Sequence, residues 1–263
     1  MFTNHFKMTD HPFPARMPID AIWRDSRMTE ALSRLQVFLE YELVAVITGD
    51  EGVGKSSLVR LFMDSLTAKR ITAIYLHLTQ LSAGALLKFL ILALGEKPAY
   101  TKDKVLMQII AKLNGTAGQI VCIVDEAHLL SQDALVDLRL LLSGAYDTDQ
   151  FKLLLVGHSR LKKELQSAHH AALAQRAPTR YHLPPFSPAQ TVDYLNFHLA
   201  RVSANAKLFD ENVKNEIHEH TRGVPRLINN LATACLITAV TLNQNKITRE
   251  ILTQALTEFQ LYS

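Results

Sequence analysis

The sequence predicts an α/β fold, a parallel five-stranded sheet between helices followed by a small all-helical domain. Three observations predict it. Segments rich in β-branched residues alternate with helical patterns through the first two thirds of the chain; a glycine-rich loop joins the first of these strands to a helix; and after Pro184-Pro185 no convincing strand follows.

In order, Leu43 to Thr48, Ile71 to Leu78, Gln119 to Val124, Phe151 to Val156 and a short Arg180 to Leu183 read as strands. The alternation places helices on both faces of a parallel sheet. Ser82 caps a helix that Gly95 ends, Thr101 caps one that Gly115 ends, and Ser131 caps a third. A domain boundary is expected near Leu183 to Ser187, giving 1–184 for the N-terminal segment with the sheet domain and 185–263 for the helical domain. Ser187, Pro188 and Gln190 form a capping-box pattern. Asp210 opens the next helix and Gly223 closes it, Pro225 starts another running to about Leu242, and a last one spans roughly Thr248 to Gln260.

With 263 residues, 48% of them hydrophobic, the chain can bury a large core, which excludes a disordered class. A net charge of +3 is too small to argue for nucleic acid by itself. Cys122 and Cys235 lie in apolar patterns and read as buried hydrophobes, which suits a reducing compartment. The N-terminus lacks the order of a signal peptide and no apolar run reaches the ~18 residues of a membrane span. A soluble cytoplasmic protein without a membrane partner is expected.

Gly49-Asp50-Glu51-Gly52-Val53-Gly54-Lys55-Ser56 satisfies the phosphate-loop pattern between a strand and a helix. Its glycines let successive N–H groups face a β-phosphate at the positive end of the helix, with Ser57 next in line. Lys55 would bridge β- and γ-phosphates, and Ser56 would ligate magnesium. Downstream, Ile120 to Val124 leads into Asp125-Glu126, where Asp125 would hold Mg2+ and Glu126 would polarise the attacking water. The alternative is that this pair only caps the next helix. Asp-Glu-Ala-His, Asp125 to His128, also occurs in a helicase group, but no other helicase motif accompanies it.

His158 follows a strand beside the loop, where it either senses the γ-phosphate or bonds a loop carbonyl. Arg176 and Arg180 precede the boundary; a guanidinium there can reach a neighbouring subunit's γ-phosphate, Arg176 being the better finger and Arg180 alternatively a structural ion-pair partner. Arg226, in Gly223-Val224-Pro225-Arg226, would reach back to the nucleotide. The remaining histidines, His169-His170 and His218-x-His220 among them, form no metal constellation and read as surface residues.

Together these strings, with Leu155-Val156-Gly157-His158, the Gln175 to Leu183 run, and Phe2 to Phe6 near the start, resemble the ExeA-like (general secretion pathway protein A-like) branch of AAA+ ATPases. The resemblance implies an AAA+ P-loop domain with a helical lid, ATP and Mg2+ as ligands, and hydrolysis of ATP to ADP and phosphate. It also implies a head-to-tail homo-oligomer, ring or helical filament. One kind of member is a membrane-anchored secretion ATPase; the other is a short ATPase that accompanies a transposase, akin to TniB, TnsC, IstB and MuB. The absence of a membrane segment favours the second, a regulator that assembles on double-stranded DNA, selects the target and recruits the transposase. The other readings are a secretion or protein-remodelling ATPase and a low-turnover nucleotide switch. His158 stands where the branch has glutamine. By the same resemblance, Thr79, Gln80, Lys97, Thr101, Lys102 and Lys104 would meet DNA, the lysines along its phosphates; the alternative is a solvated loop with ordinary surface lysines.

Overall fold

The computed structural model describes residues 2–77, 82–145, 150–205 and 207–259. They form two compact units, one of Ser26–Asp50 with Lys55–Leu183, the other of the N-terminal residues to Asp25, Glu51–Gly54 and the chain from Pro184.

The first unit is built on five parallel strands, β1 (Val44–Thr48), β2 (Thr72–His77), β3 (Ile120–Asp125), β4 (Phe151–Gly157) and β5 (Thr179–His182), in the order β2-β3-β4-β1-β5. Each lies within a residue or two of the expected segment; Leu78, expected to end β2, is outside the described residues. Because β-strand side chains alternate, Val44, Val46, Cys122, Val124, Leu153 and Leu155 share one face. They form a core with α4 (Ala83–Ala93), α5 (Lys102–Asn114) and α6 (Gln132–Gly144). The alternate residues, such as Ile47, Ile123 and Leu154, are equally buried. On their side Lys152 donates to the carbonyls of Phe38 and Glu42, and Phe38 of α2 (Ser26–Tyr41) lies 6.4 Å from Phe62 of α3 (Lys55–Ala68), ring to ring. Both faces are therefore covered, as the near-continuous apolar strands require.

Ser82, Thr101 and Ser131 cap α4, α5 and α6, each accepting a backbone N–H at the third helical position. Two short helices, α7 (Arg160–Leu165) and α8 (Ala171–Gln175), lead from β4 to β5.

The second unit holds α9 (Pro188–Arg201), α10 (Glu211–Thr221), α11 (Pro225–Thr241) and α12 (Arg249–Phe259). Ser187 and Gln190 make the reciprocal capping box. The N-terminal segment, including α1 (Phe2–His5), packs in this unit, whereas the sequence reading grouped it with the sheet. Met8 and Phe13 join the helical core, and Trp23 meets Phe186 and Tyr194 at 5.3 and 5.7 Å between rings. Aromatic anchors far from their partners in sequence explain why periodicity alone did not assign the segment.

Two histidines depart from the expected surface placement: His170 is 3% exposed and His198 1%. His198 sits among Phe13, Tyr194 and Phe197, and burial pushes its pKa down to about 4. Among the described residues no helix is long and apolar enough to cross a membrane.

Candidate active site

The strand order makes β3, β4 and β1 neighbours, and because they are parallel their carboxyl ends share one edge of the sheet. Open α/β sheets bind ligands at such an edge, where the order of the strands reverses. There the chain places Gly49-Asp50, Asp125-Glu126 and Gly157-His158.

The loop after β1 turns through Gly52 at φ +77° and Gly54 at φ +108°, a region that L side chains enter only with strain. At Gly52 a Cβ would also come within 2.8 Å of the Arg226 Cβ and 2.9 Å of a Val224 methyl. Lys55, the first residue of α3, is 7% exposed, and its Nζ donates to the Gly49 and Asp50 carbonyls at 3.0 and 2.9 Å. The ammonium is thus held inside its own loop. Ser56 is exposed, Ser57 half-buried and Val53 buried. No acidic side chain occupies the first turn of α3, so the positive end of the helix keeps its attraction for an anion.

Asp125 ends β3 fully buried. Its Oδ2 accepts from the Tyr75 hydroxyl at 2.8 Å and lies 3.6 Å from His77 Nδ1, while its Oδ1 accepts the Glu126 N–H at 3.0 Å. Burial, then the bond to Asp125, holds the Tyr75 hydroxyl protonated well above its ordinary range. Glu126 turns the backbone through φ 54°, ψ 34°, and its Oε2 lies 3.5 Å from His128 Nδ1. Strain of this kind in a residue that is neither Gly nor Asn marks a constrained position. Glu126 is no side-chain cap of the turn that follows, which separates it from the capping alternative.

At the tip of β4 the Gly157 carbonyl accepts the Gly49 N–H at 3.2 Å, tying the two strand ends together. His158 Nε2 lies 3.4 Å from Asp50 Oδ1, which also accepts from the Ser159 hydroxyl at 2.8 Å. His158 therefore faces the phosphate loop.

Arg176 Nη1 donates to Ser143 Oγ at 2.9 Å. Arg180 closes the end of α8, donating to the carbonyls of Ala177 and Ala174, an intrachain hydrogen-bonding role in place of the ion pair considered for it. Arg226 begins α11 exposed, and its N–H donates to the Gly52 carbonyl at 3.2 Å. Lys97 and Lys104 are exposed, as is Tyr100, while Thr101 caps α5. Lys102 forms an ion pair at 2.9 Å with Asp137 of α6, whose side chain is 4% exposed. Thr79 and Gln80 lie outside the described residues. Sequence reasoning missed Tyr75, His128 and Asp137; a strand tyrosine or a helical aspartate carries no local signal of the partner it meets across the fold.

Comparison with known proteins places this geometry. A family model described as AAA domain matches residues 39–165. The fold is the AAA+ P-loop α/β fold: it resembles the Cdc6p structure from Pyrobaculum aerophilum (TM-score 0.72, 16% identity, 97% of this chain and 70% of that one). It also resembles the Aeropyrum pernix ORC1 protein in complex with DNA (TM-score 0.69, 17%, 94% and 67%) and the Thermotoga maritima RuvB Holliday junction branch migration motor (TM-score 0.59, 14%, 94% and 73%). The matched segment contains the phosphate loop and Asp125-Glu126 and covers just under half of the chain. The chain is related to general secretion pathway protein A of Aeromonas hydrophila, with 30% identity over 94% of this chain, and spans 46% of that relative's length.

Proposed function

We propose that this chain binds Mg-ATP at the carboxyl edge of β1, β3 and β4, hydrolyses it, and uses the cycle to assemble on double-stranded DNA as a head-to-tail homo-oligomer that selects a transposition target and recruits the transposase. The observation that carries the ATPase part is the convergence of a buried Lys55, a fully buried Asp125 and a strained Glu126 on one sheet edge.

The residues fit the ligand. Lys55 is held by two loop carbonyls, partners that a triphosphate replaces with stronger, charge-assisted ones. Gly49 to Ser57 would cradle the phosphates, and Ser56 with Asp125 would hold magnesium, which supplies charge neutralisation on the phosphate oxygens. Glu126 would accept a proton from the attacking water. Asp125 is already oriented by Tyr75 and the Glu126 N–H, so it needs no reorganisation. His158 is placed to report on the loop through Asp50. Arg176 would act on a neighbouring copy's nucleotide, and Arg226 on that of its own chain.

The DNA part is supported by the exposed Lys97, Tyr100 and Lys104 and by the likeness in fold to the ORC1 protein in complex with DNA and to the RuvB Holliday junction branch migration motor. Two buried free thiols suit a cytoplasmic setting. The relation to general secretion pathway protein A favours a second reading, a protein-remodelling ATPase in secretion. Measuring ATP hydrolysis and sedimentation with and without duplex DNA separates them: stimulation and DNA-dependent assembly are expected, and indifference to DNA transfers the assignment to the second reading.

A further inference from the structure

We infer that His128 is a positioning residue for ATP hydrolysis, its Nδ1 atom holding the tip of β4 through the His158 amide while keeping the Glu126 carboxylate off the ring and unbound; the inference rests on the ATPase reading above. Three contacts meet at this ring. The His158 N–H donates to His128 Nδ1 at 3.2 Å. Glu126 Oε2 lies 3.5 Å from the same nitrogen. Gly157 lies so close that a Cβ there would stand 3.2 Å from the His128 backbone N and 3.3 Å from its Nδ1. The strand tip thus packs against this imidazole and against a Leu161 methyl, which a Cβ at Gly157 would meet at 3.3 Å as well.

An accepting Nδ1 fixes the tautomer: the neutral ring carries its proton on Nε2. Burial, with Lys55, Arg160 and His158 nearby, outweighs the pull of Glu126 and keeps the ring neutral. Its lone pair then faces both the His158 amide, which it binds, and the Glu126 carboxylate, which it cannot bind. Glu126 is steered away from the ring and left free to accept a proton, while the amide bond fixes His158 over Asp50. The function follows from the location of one acceptor atom rather than from charge or bulk.

That atom is testable, since Asn places its Oδ1 where His has Nδ1 and Leu offers the shape without the acceptor. His128→Leu should lower kcat on the order of 10- to 100-fold, the effect of misplacing a catalytic group by about 1 Å. Binding of a fluorescent ADP should stay unchanged and KM nearly so. His128→Asn should recover most of the rate, and His128→Gln, whose polar atoms sit at the Nε2 position, should not. Rates that Glu126→Gln abolishes but His128→Leu leaves untouched would overturn the inference and leave the ATPase reading standing. A wild type that never turns over would defeat that reading instead. In that event 15N imidazole spectra still decide the point: a protonated Nε2 with a hydrogen-bonded Nδ1 supports the arrangement, and a protonated Nδ1 overturns it.

Discussion

The sheet unit and the helical unit both bury polar side chains, to opposite ends. At the sheet edge the buried Lys55 and Asp125 and the half-buried His128 are gripped by named partners on the phosphate loop, on β2 and at the tip of β4, which preorganises groups that would meet a ligand. In the helical unit His198 is buried among aromatic rings with Nδ1 unbonded, and Lys214, 1% exposed, has its Nζ 2.7 Å from an exposed Glu211. Burial of a charge-bearing group signals a site only when its partners converge on a shared point; dispersed in a core it signals a cost that packing has absorbed.

That contrast is breakable by substitution. The largest effect belongs to Lys55→Ala, expected to weaken ATP binding about 100-fold, on the order of 3 kcal/mol, while the melting temperature moves little; titration with a fluorescent analogue checks this. Next comes His198. With its folded pKa about 4 and an unfolded value near 6.5, the unfolded chain binds the extra proton between these limits, so stability is intact above pH 6.5 and falls toward pH 4. The loss should reach about 3 kcal/mol, and His198→Leu should flatten that acid slope in denaturant titrations at several pH values.

A smaller pair sharpens the DNA proposal. Lys102→Ala should cost about 2 kcal/mol of stability, because it strands a buried Asp137, so reduced DNA binding by this variant would be uninformative. Lys97→Ala and Lys104→Ala should leave stability within about 0.5 kcal/mol. Each should reduce the salt dependence of DNA affinity by about one unit of log–log slope.

Much of the fold was legible because its signals are local. The strands are apolar runs, the caps at Ser82, Thr101, Ser131 and Ser187 act within three residues, and the phosphate loop is contiguous. What escaped depends on distant pairing. No pattern in 1–25 says that Phe13 and Trp23 meet α9 and its approach, nor does any local pattern say that Lys102 pairs with Asp137. Arg180 was legible as a conspicuous arginine, but its bonds to the Ala177 and Ala174 carbonyls arise from a local geometry that a motif does not encode.

The most direct test of the account is to compare the wild type with Glu126→Gln for ATP affinity and single-turnover hydrolysis. The account predicts equal or tighter ATP binding with hydrolysis slowed at least about 100-fold, the loss of a general base. Hydrolysis by the variant at the wild-type rate would contradict it, because the strained carboxylate at the end of β3 would then play no part in the reaction.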